Sequence, residues 1–272
     1  MNTMDHVIFS EIAEQVSDFD PITLAEMDSV KLMDRTDLKF MIPVSRLSYI
    51  LSLVQSHYRV LEMESKRIFT YETLYYDTRE LTLYHQHQAG RLNRYKIRHR
   101  NYVDTKGSYF EIKLKNNKGR TIKTRIKREM GGCGGLDEHS GSFLRGTTNL
   151  NPDRLKPTLW VHYGRITLVS IYTTERITID LDLTFSSDGR SREFGYVAIV
   201  EVKHEKENSA SFFLEMMRRQ RFREGGISKY CFGMISIFSG VKHNRFKSKV
   251  KFLHKLQSQN ALHVPVRHTQ FI

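Results

Sequence analysis

Along Arg94-Tyr-Lys-Ile-Arg-His-Arg100 a basic side chain recurs at every second position: Arg94, Lys96, Arg98 and Arg100. A strand turns successive side chains to opposite faces, so this spacing gathers four cations on one face. The next segments repeat the pattern, with Glu111, Lys113 and Lys115 in one phase, then Lys123, Arg125 and Lys127 around Ile122 and Ile126. Farther on, Arg176, Thr178, Asp180 and Asp182 alternate with Ile177, Ile179 and Leu181, and Glu201 and Lys203 alternate with Val200 and Val202. The solvated face of an antiparallel sheet also alternates polar with apolar residues, and any one of these strands fits that description. Five together fit it poorly, because like charges facing one another across strands destabilise the pairing. Adjacent stripes of Arg and Lys call for an anion between them. A chain of phosphates suits the pattern, since Arg offers bidentate contacts and Lys a compact charge.

Asp37, Glu111, Asp180, Asp182 and Glu201 interrupt the basic stripes. Each could neutralise neighbouring Arg and Lys, and Asp182 is read that way. The alternative is a hard divalent cation, Mg²⁺ or Mn²⁺, bridging one or two carboxylates to phosphate oxygens. Glu201 is the first candidate ligand and Asp37 the second.

These stripes need strands, and the sequence places them at about 35–42, 70–77, 93–102, 108–116, 120–128, 159–169, 174–184 and 194–204. Asp104-Thr-Lys-Gly107, Asn116-Asn-Lys-Gly119 and Ser187-Asp-Gly189 supply hairpin turns. Helices are expected over 43–56, where Leu47, Ile50, Leu51 and Val54 share one side, around 140–146, and from Ser209 to Arg223 before Gly225-Gly226. Thr23-Leu-Ala-Glu26 is a capping box, so a short helix should start there after a loose N-terminus. The fold class that follows is α+β: an eight-stranded antiparallel β-barrel with helices packed outside and the charged stripes lining its interior. The expected organisation is an N-terminal segment over 1–30, the barrel over 31–240 and a basic tail over 241–272.

The 272 residues carry a formal charge of +13, unevenly spread. Residues 1–30 hold acids but no Lys or Arg, residues 225–272 hold no Asp or Glu, and basic residues crowd the stretch from 94 to 128. The two cysteines, Cys133 and Cys231, lack C-x-x-C spacing, and the 12 histidines form no metal-binding motif, which argues against a disulfide scaffold and a zinc site. No apolar run is long enough to span a bilayer, and no basic-then-apolar leader precedes Lys31, so the expected location is cytoplasmic. A basic patch is also the footprint of nucleic-acid binders. The residues between the arginines, Ile97, His99 and Asn101, make a poor stacking platform, which argues against a nucleic-acid ligand.

Several short motifs, taken in order, resemble the VTC domain, the polyphosphate polymerase module of the triphosphate tunnel metalloenzyme (CYTH-like) superfamily. They are Arg35-Thr-Asp-Leu-Lys39-Phe, Tyr75-Tyr-Asp-Thr78, Lys96-Ile-Arg98-His-Arg100-Asn-Tyr102, Phe110-Glu111-Ile-Lys113, Lys123-Thr-Arg125, Tyr163-Gly-Arg165, Arg176-Ile-Thr-Ile-Asp180, Glu201-Val-Lys203 and Ser228-Lys229-Tyr230. The resemblance spans about residues 30–235. It implies a tunnel, a divalent metal, and transfer of the ATP γ-phosphate to a growing polyphosphate chain. Lys39, Arg98, Arg100 and Lys229 would act around the transferred group. Arg35, Lys96, Lys113, Lys123, Arg125, Arg165, Arg176 and Lys203 would bind phosphates, and Glu201 with Asp37 would hold the metal. Asp37 stands where the family commonly has Glu, and Phe40 where it has Tyr. Hydrolysis of a triphosphate, or polyphosphate sensing without turnover, would use the same residues. The basic tail, with Lys242, Arg245, Lys247, Lys249, Lys251, Lys255 and Arg267, is expected to be solvated or to dock on an anionic membrane surface or membrane partner.

Overall fold

Alternating β-branched and charged residues fold as the sequence implies, into long antiparallel strands. The computed structural model describes residues 3–29, 35–130, 135–205, 211–226 and 228–262. Its strands are β1 (Pro21–Ile22), β2 (Arg35–Pro43), β3 (Tyr58–Leu61), β4 (Phe69–Thr78), β5 (Arg94–Tyr102), β6 (Gly107–Lys115), β7 (Thr121–Lys127), β8 (Leu155–Ser170), β9 (Arg176–Ser187), β10 (Arg190–Phe194) and β11 (Val197–Glu205). The helices are α1 (Thr3–Ser17), α2 (Leu24–Ser29), α3 (Leu47–Val54), α4 (Thr82–Ala89), α5 (Glu138–Thr147), α6 (Phe212–Arg219), α7 (Lys229–Ile237) and α8 (Lys247–Leu262). All eight expected strands are present. The short β1, β3 and β10, and helices α1, α4, α7 and α8, are additions; α1 replaces the expected loose N-terminus, because Ile12 and Val16 give it an apolar side to bury. Cys133, residues 209 and 210 of the expected helix, and Arg267 lie outside the described residues.

Hydrogen bonding runs in the order β2-β11-β9-β8-β4-β5-β6-β7. No ladder joins β2 to β7 among the described residues, so the expected eight-strand set forms one large antiparallel sheet with two ends. The sheet curls. Burial is the main reason that Lys96 on β5 has a lowered pKa, yet the charge of Lys39 on β2 contributes too. In a flat sheet five strand spacings would hold these residues about 24 Å apart, beyond the reach of a screened charge. Beside β2, the Gly225 N–H donates to the Lys39 carbonyl at 2.8 Å. A Cβ on Gly226 would meet the Cβ of Lys39 at 2.7 Å, so only glycine lets the chain pass there.

Three apolar layers fix the faces. On the convex side, Ile12 and Val16 of α1, Leu47, Ile50 and Leu51 of α3 and Phe213 of α6 pack on Phe40, Ile42, Ile177, Ile179, Val200 and Val202. Leu144 of α5 covers Leu74, Ile97, Phe110 and Ile112 on the same side. The concave side is only partly polar, which corrects the expectation of helices outside alone. Tyr230, Phe232 and Met234 of α7 and Leu253 and Leu256 of α8 pack there on Met41, Leu159, Phe185 and Ile199. The segment expected as a basic tail thus carries a helix with two leucines in the core. The phase of β9 changes at Asp182, where φ is 53° and the β8–β9 register shifts between His162 and Gly164. This bulge takes Asp182 out of the charged stripe and turns Leu183 and Phe185 to the concave side with Asp180.

Candidate functional site

Three carboxylates organise the concave face, and each is gripped by two cations from different strands or from α7. Glu111 of β6, fully buried, lies opposite Arg98 of β5 in register. It accepts from Arg98 Nε at 2.7 Å and pairs with Arg98 Nη2 at 2.5 Å and with Lys123 of β7. Asp180 of β9 accepts from Arg165 of β8 through Nε at 2.5 Å and Nη2 at 2.9 Å, and from Lys229 of α7. Glu201 of β11 sits 3.0 Å from Lys39 of β2 and 3.3 Å from Lys203. Burial alone would raise the pKa of each acid. The adjacent charges outweigh it and hold all three carboxyls well below the usual range, led by Arg98 at Glu111, Arg165 at Asp180 and Lys203 at Glu201.

Cations remain in excess after these pairings. Lys113 and Lys96 have no ion-pair partner among the described residues. The charge of Arg98, followed by burial and the charge of Arg100, pushes Lys113 well below the usual lysine range. Burial first, with Arg98 and Lys39 adding to it, lowers Lys96. Lys123 and Lys203 are also lowered, chiefly by burial, despite their acid partners. Arg100 donates to Thr73 Oγ1 at 3.3 Å and lies over the Tyr71 ring. Arg176 donates to the Met27 carbonyl at 3.1 Å, and Arg125 lies over Tyr109. The concave face therefore holds more positive charge than its acids neutralise.

The sequence assignments sort cleanly on this geometry. Lys39, Lys96, Arg98, Arg100, Lys113, Lys123, Arg125, Arg165, Arg176, Lys203 and Lys229 all belong to the concave face by register or contact. Arg35 opens β2 in the same phase, and its side chain lies outside the described residues. Asp37 is opposite Lys203, diagonal to Glu201 across the β2–β11 ladder. Among the described residues no three His, Cys, Asp or Glu side chains form a metal cage. A cation held by Glu201 and Asp37 would need oxygens from another source, as phosphate provides.

Two features escaped the sequence reading. Asp77 of the Tyr75-Tyr-Asp-Thr78 motif is buried, and its carboxylate accepts from the N–H groups of Thr78, Leu83 and Tyr84 at 2.7–2.8 Å and from the Tyr230 hydroxyl. It thereby ties β4 to α4 and to α7, next to Lys229. The second is a row of tyrosines on the basic face: Tyr163, Tyr71, Tyr102 and Tyr109 in successive contact across β8, β4, β5 and β6. The same two-residue alternation that marks the arginines places Tyr102 beside Arg100 and Tyr109 beside Glu111.

Solved structures similar to this chain are known. A Bacillus halodurans protein described as an adenylate cyclase has a similar structure, with TM-score 0.50 and 12% identity over 75% of this chain and 100% of that chain. A Hippeastrum protein of the adenylyl cyclase class, described as having a dominant triphosphatase activity, aligns with TM-score 0.46 and 14% identity over 78% of this chain and 100% of that one. No curated protein sequence matches significantly. The sequence pattern of the VTC domain matches residues 34–238, which hold the curled sheet, the three double-gripped carboxylates and α7, and the chain belongs to the VTC domain family.

Proposed function

We propose that this chain is a polyphosphate polymerase-type phosphotransferase whose curled sheet closes around a phosphate chain as a basic tunnel. The observation that carries the reading is the crowding of cations on one face: Lys96 lies opposite Lys113, and Lys113 opposite Lys123, and neither Lys96 nor Lys113 has an ion-pair partner among the described residues. Phosphoryl transfer asks mainly for positioning and charge stabilisation, which fixed Arg and Lys provide. The terminal oxygen of the acceptor chain attacks the γ-phosphorus of ATP. The bond to the β–γ bridging oxygen breaks, and ADP leaves with that electron pair. Lys39, Arg98, Arg100 and Lys229 surround the transferred group. Arg35, Lys96, Lys113, Lys123, Arg125, Arg165, Arg176 and Lys203 hold the rest of the chain. Mg²⁺ or Mn²⁺, held by Glu201 with Asp37 and phosphate oxygens, would neutralise charge developing on the phosphates. Lys39 and Lys203 pair with Glu201, and with a divalent ion at that carboxylate both would be free to hold phosphate oxygens.

One observation favours a second reading, hydrolysis of a short triphosphate. The concave face turns apolar at Met41, Leu159, Phe185 and Ile199 under α7, so part of its length does not suit a phosphate chain. The third reading is a receptor that binds polyphosphate without turnover. Incubation with ATP and Mg²⁺ or Mn²⁺, followed by product analysis, separates them. Long acid-labile polymer supports the polymerase, free phosphate alone supports the hydrolase, and binding without turnover supports the receptor. No helix among the described residues is long and apolar enough to cross a membrane. The exposed Lys247, Lys251 and Lys255 of α8 suit a peripheral contact with an anionic membrane surface on the cytoplasmic side.

A further inference from the structure

The tyrosine row adds a chemistry that phosphate binding does not need. Tyr163 and Tyr71 stack at 5.2 Å between ring centroids, Tyr71 meets Tyr102 at 5.0 Å, and Tyr102 meets Tyr109 edge-on at 5.8 Å. Cations alternate with the rings: Arg165 lies 4.9 Å from the centre of Tyr71, Lys229 lies 4.5 Å from Tyr163, and Arg125 lies 4.5 Å from Tyr109. The row grades in exposure. Tyr163 is buried at one end, whereas Tyr102 and Tyr109, on the β5–β6 hairpin at the other, are only half-buried. The residue directly opposite Tyr102 on β6 is Gly107, so Tyr109 is the side chain of that strand that meets the ring, and it does so edge-on. Flat rings interleaved with guanidinium planes are the surface on which nucleobases stack.

We propose that Tyr102 and Tyr109 form a subsite for the base of a nucleoside triphosphate whose phosphates run towards Arg100 and Arg98. Strand geometry sets the spacing: Arg100 lies about 7 Å and Arg98 about 13 Å along β5 from Tyr102, so a ribose and then phosphates follow the base down the strand. The inference rests on the phosphate-binding reading of this face and deepens it, because it separates nucleotides from inorganic phosphate chains. Stacking reads the flat face of the base and not its edge, so adenine and guanine nucleotides should both be accepted.

The test compares ATP with tripolyphosphate by isothermal titration calorimetry on the full chain. The protein is taken as the unsubstituted chain, as Tyr102→Leu/Tyr109→Leu and as Tyr102→Phe/Tyr109→Phe. The leucine pair should weaken ATP by about tenfold or more while tripolyphosphate affinity stays within twofold, and the phenylalanine pair should restore ATP binding. Equal losses for the two ligands, or an ATP-to-tripolyphosphate ratio unchanged by leucine, would overturn the base subsite and leave the phosphate site standing. If the unsubstituted chain binds neither ligand, both readings fall.

Discussion

Replacing Glu111 by Gln tests whether the concave face is built to need an anion. The carboxylate is fully buried, and its loss leaves buried Arg98 and partly buried Lys123 without their counter-charge. Removing one partner of a buried pair typically costs about 3–5 kcal/mol. Gln keeps the shape and one acceptor for Arg98 Nε, so the lower end, about 3 kcal/mol, is expected. For a chain of this size that is roughly 6–12 °C of melting temperature, followed by circular dichroism. The pH dependence has a defined sign. Native Glu111 titrates well below its ordinary value of 4.5, so its contribution is complete above that pH and lost as pH falls through the native pKa. The gap between the two proteins should therefore narrow on acidification below about pH 4.5. Tripolyphosphate at a hundred times its dissociation constant adds about 2.7 kcal/mol by mass action. Because Glu111→Gln leaves more positive charge uncompensated, it should bind the anion more tightly and gain more from it than the unsubstituted chain. A melting temperature unchanged by the substitution, or a smaller gain from tripolyphosphate in the variant, would refute the reasoning.

Lys113→Met should raise the melting temperature without ligand, because it removes a charge repelled by Arg98 and Arg100, yet weaken tripolyphosphate in titration calorimetry; a loss of stability would mean that the charge is already compensated. Arg100→Ala should lower the slope of log affinity against log salt by about one for a medium-length polyphosphate, and an unchanged slope would place Arg100 away from the chain. At pH 9 tripolyphosphate should bind with proton uptake, since the anion raises the depressed pKa values of Lys113 and Lys96; calorimetry in buffers of different ionisation enthalpy reads the sign. Leu253→Ala on α8 should cost about 2–5 kcal/mol in chemical denaturation, whereas a solvated tail would show no change.

The alternation of charge with Ile and Val marked five of the long strands and the cations on their shared face, because the two-residue period of a strand is local geometry that every residue obeys. The hairpin at Asp188-Gly189 is equally local: both residues adopt positive φ, at 47° and 73°, which their types permit. The capping box is local too, with the Thr23 N–H donating to Glu26 at 2.8 Å. What tertiary structure decided is which charges meet. Asp180 serves Lys229, 49 positions away, because α7 lies on the concave face, and α7 lies there because Tyr230 bonds Asp77 and its apolar side fits Leu159 and Phe185. Periodicity could not foresee α8 either. Its Lys-rich sequence reads as a tail until Leu253 and Leu256 find α7 and Met41 to pack on. The bulge at Asp182 breaks the two-residue rule at one position, and only the β8–β9 register reveals it. Burial and cross-strand register are properties of the assembled sheet, so the choice between a carboxylate that steadies lysines and one that takes a metal is made there, by neighbours that the order of residues does not name.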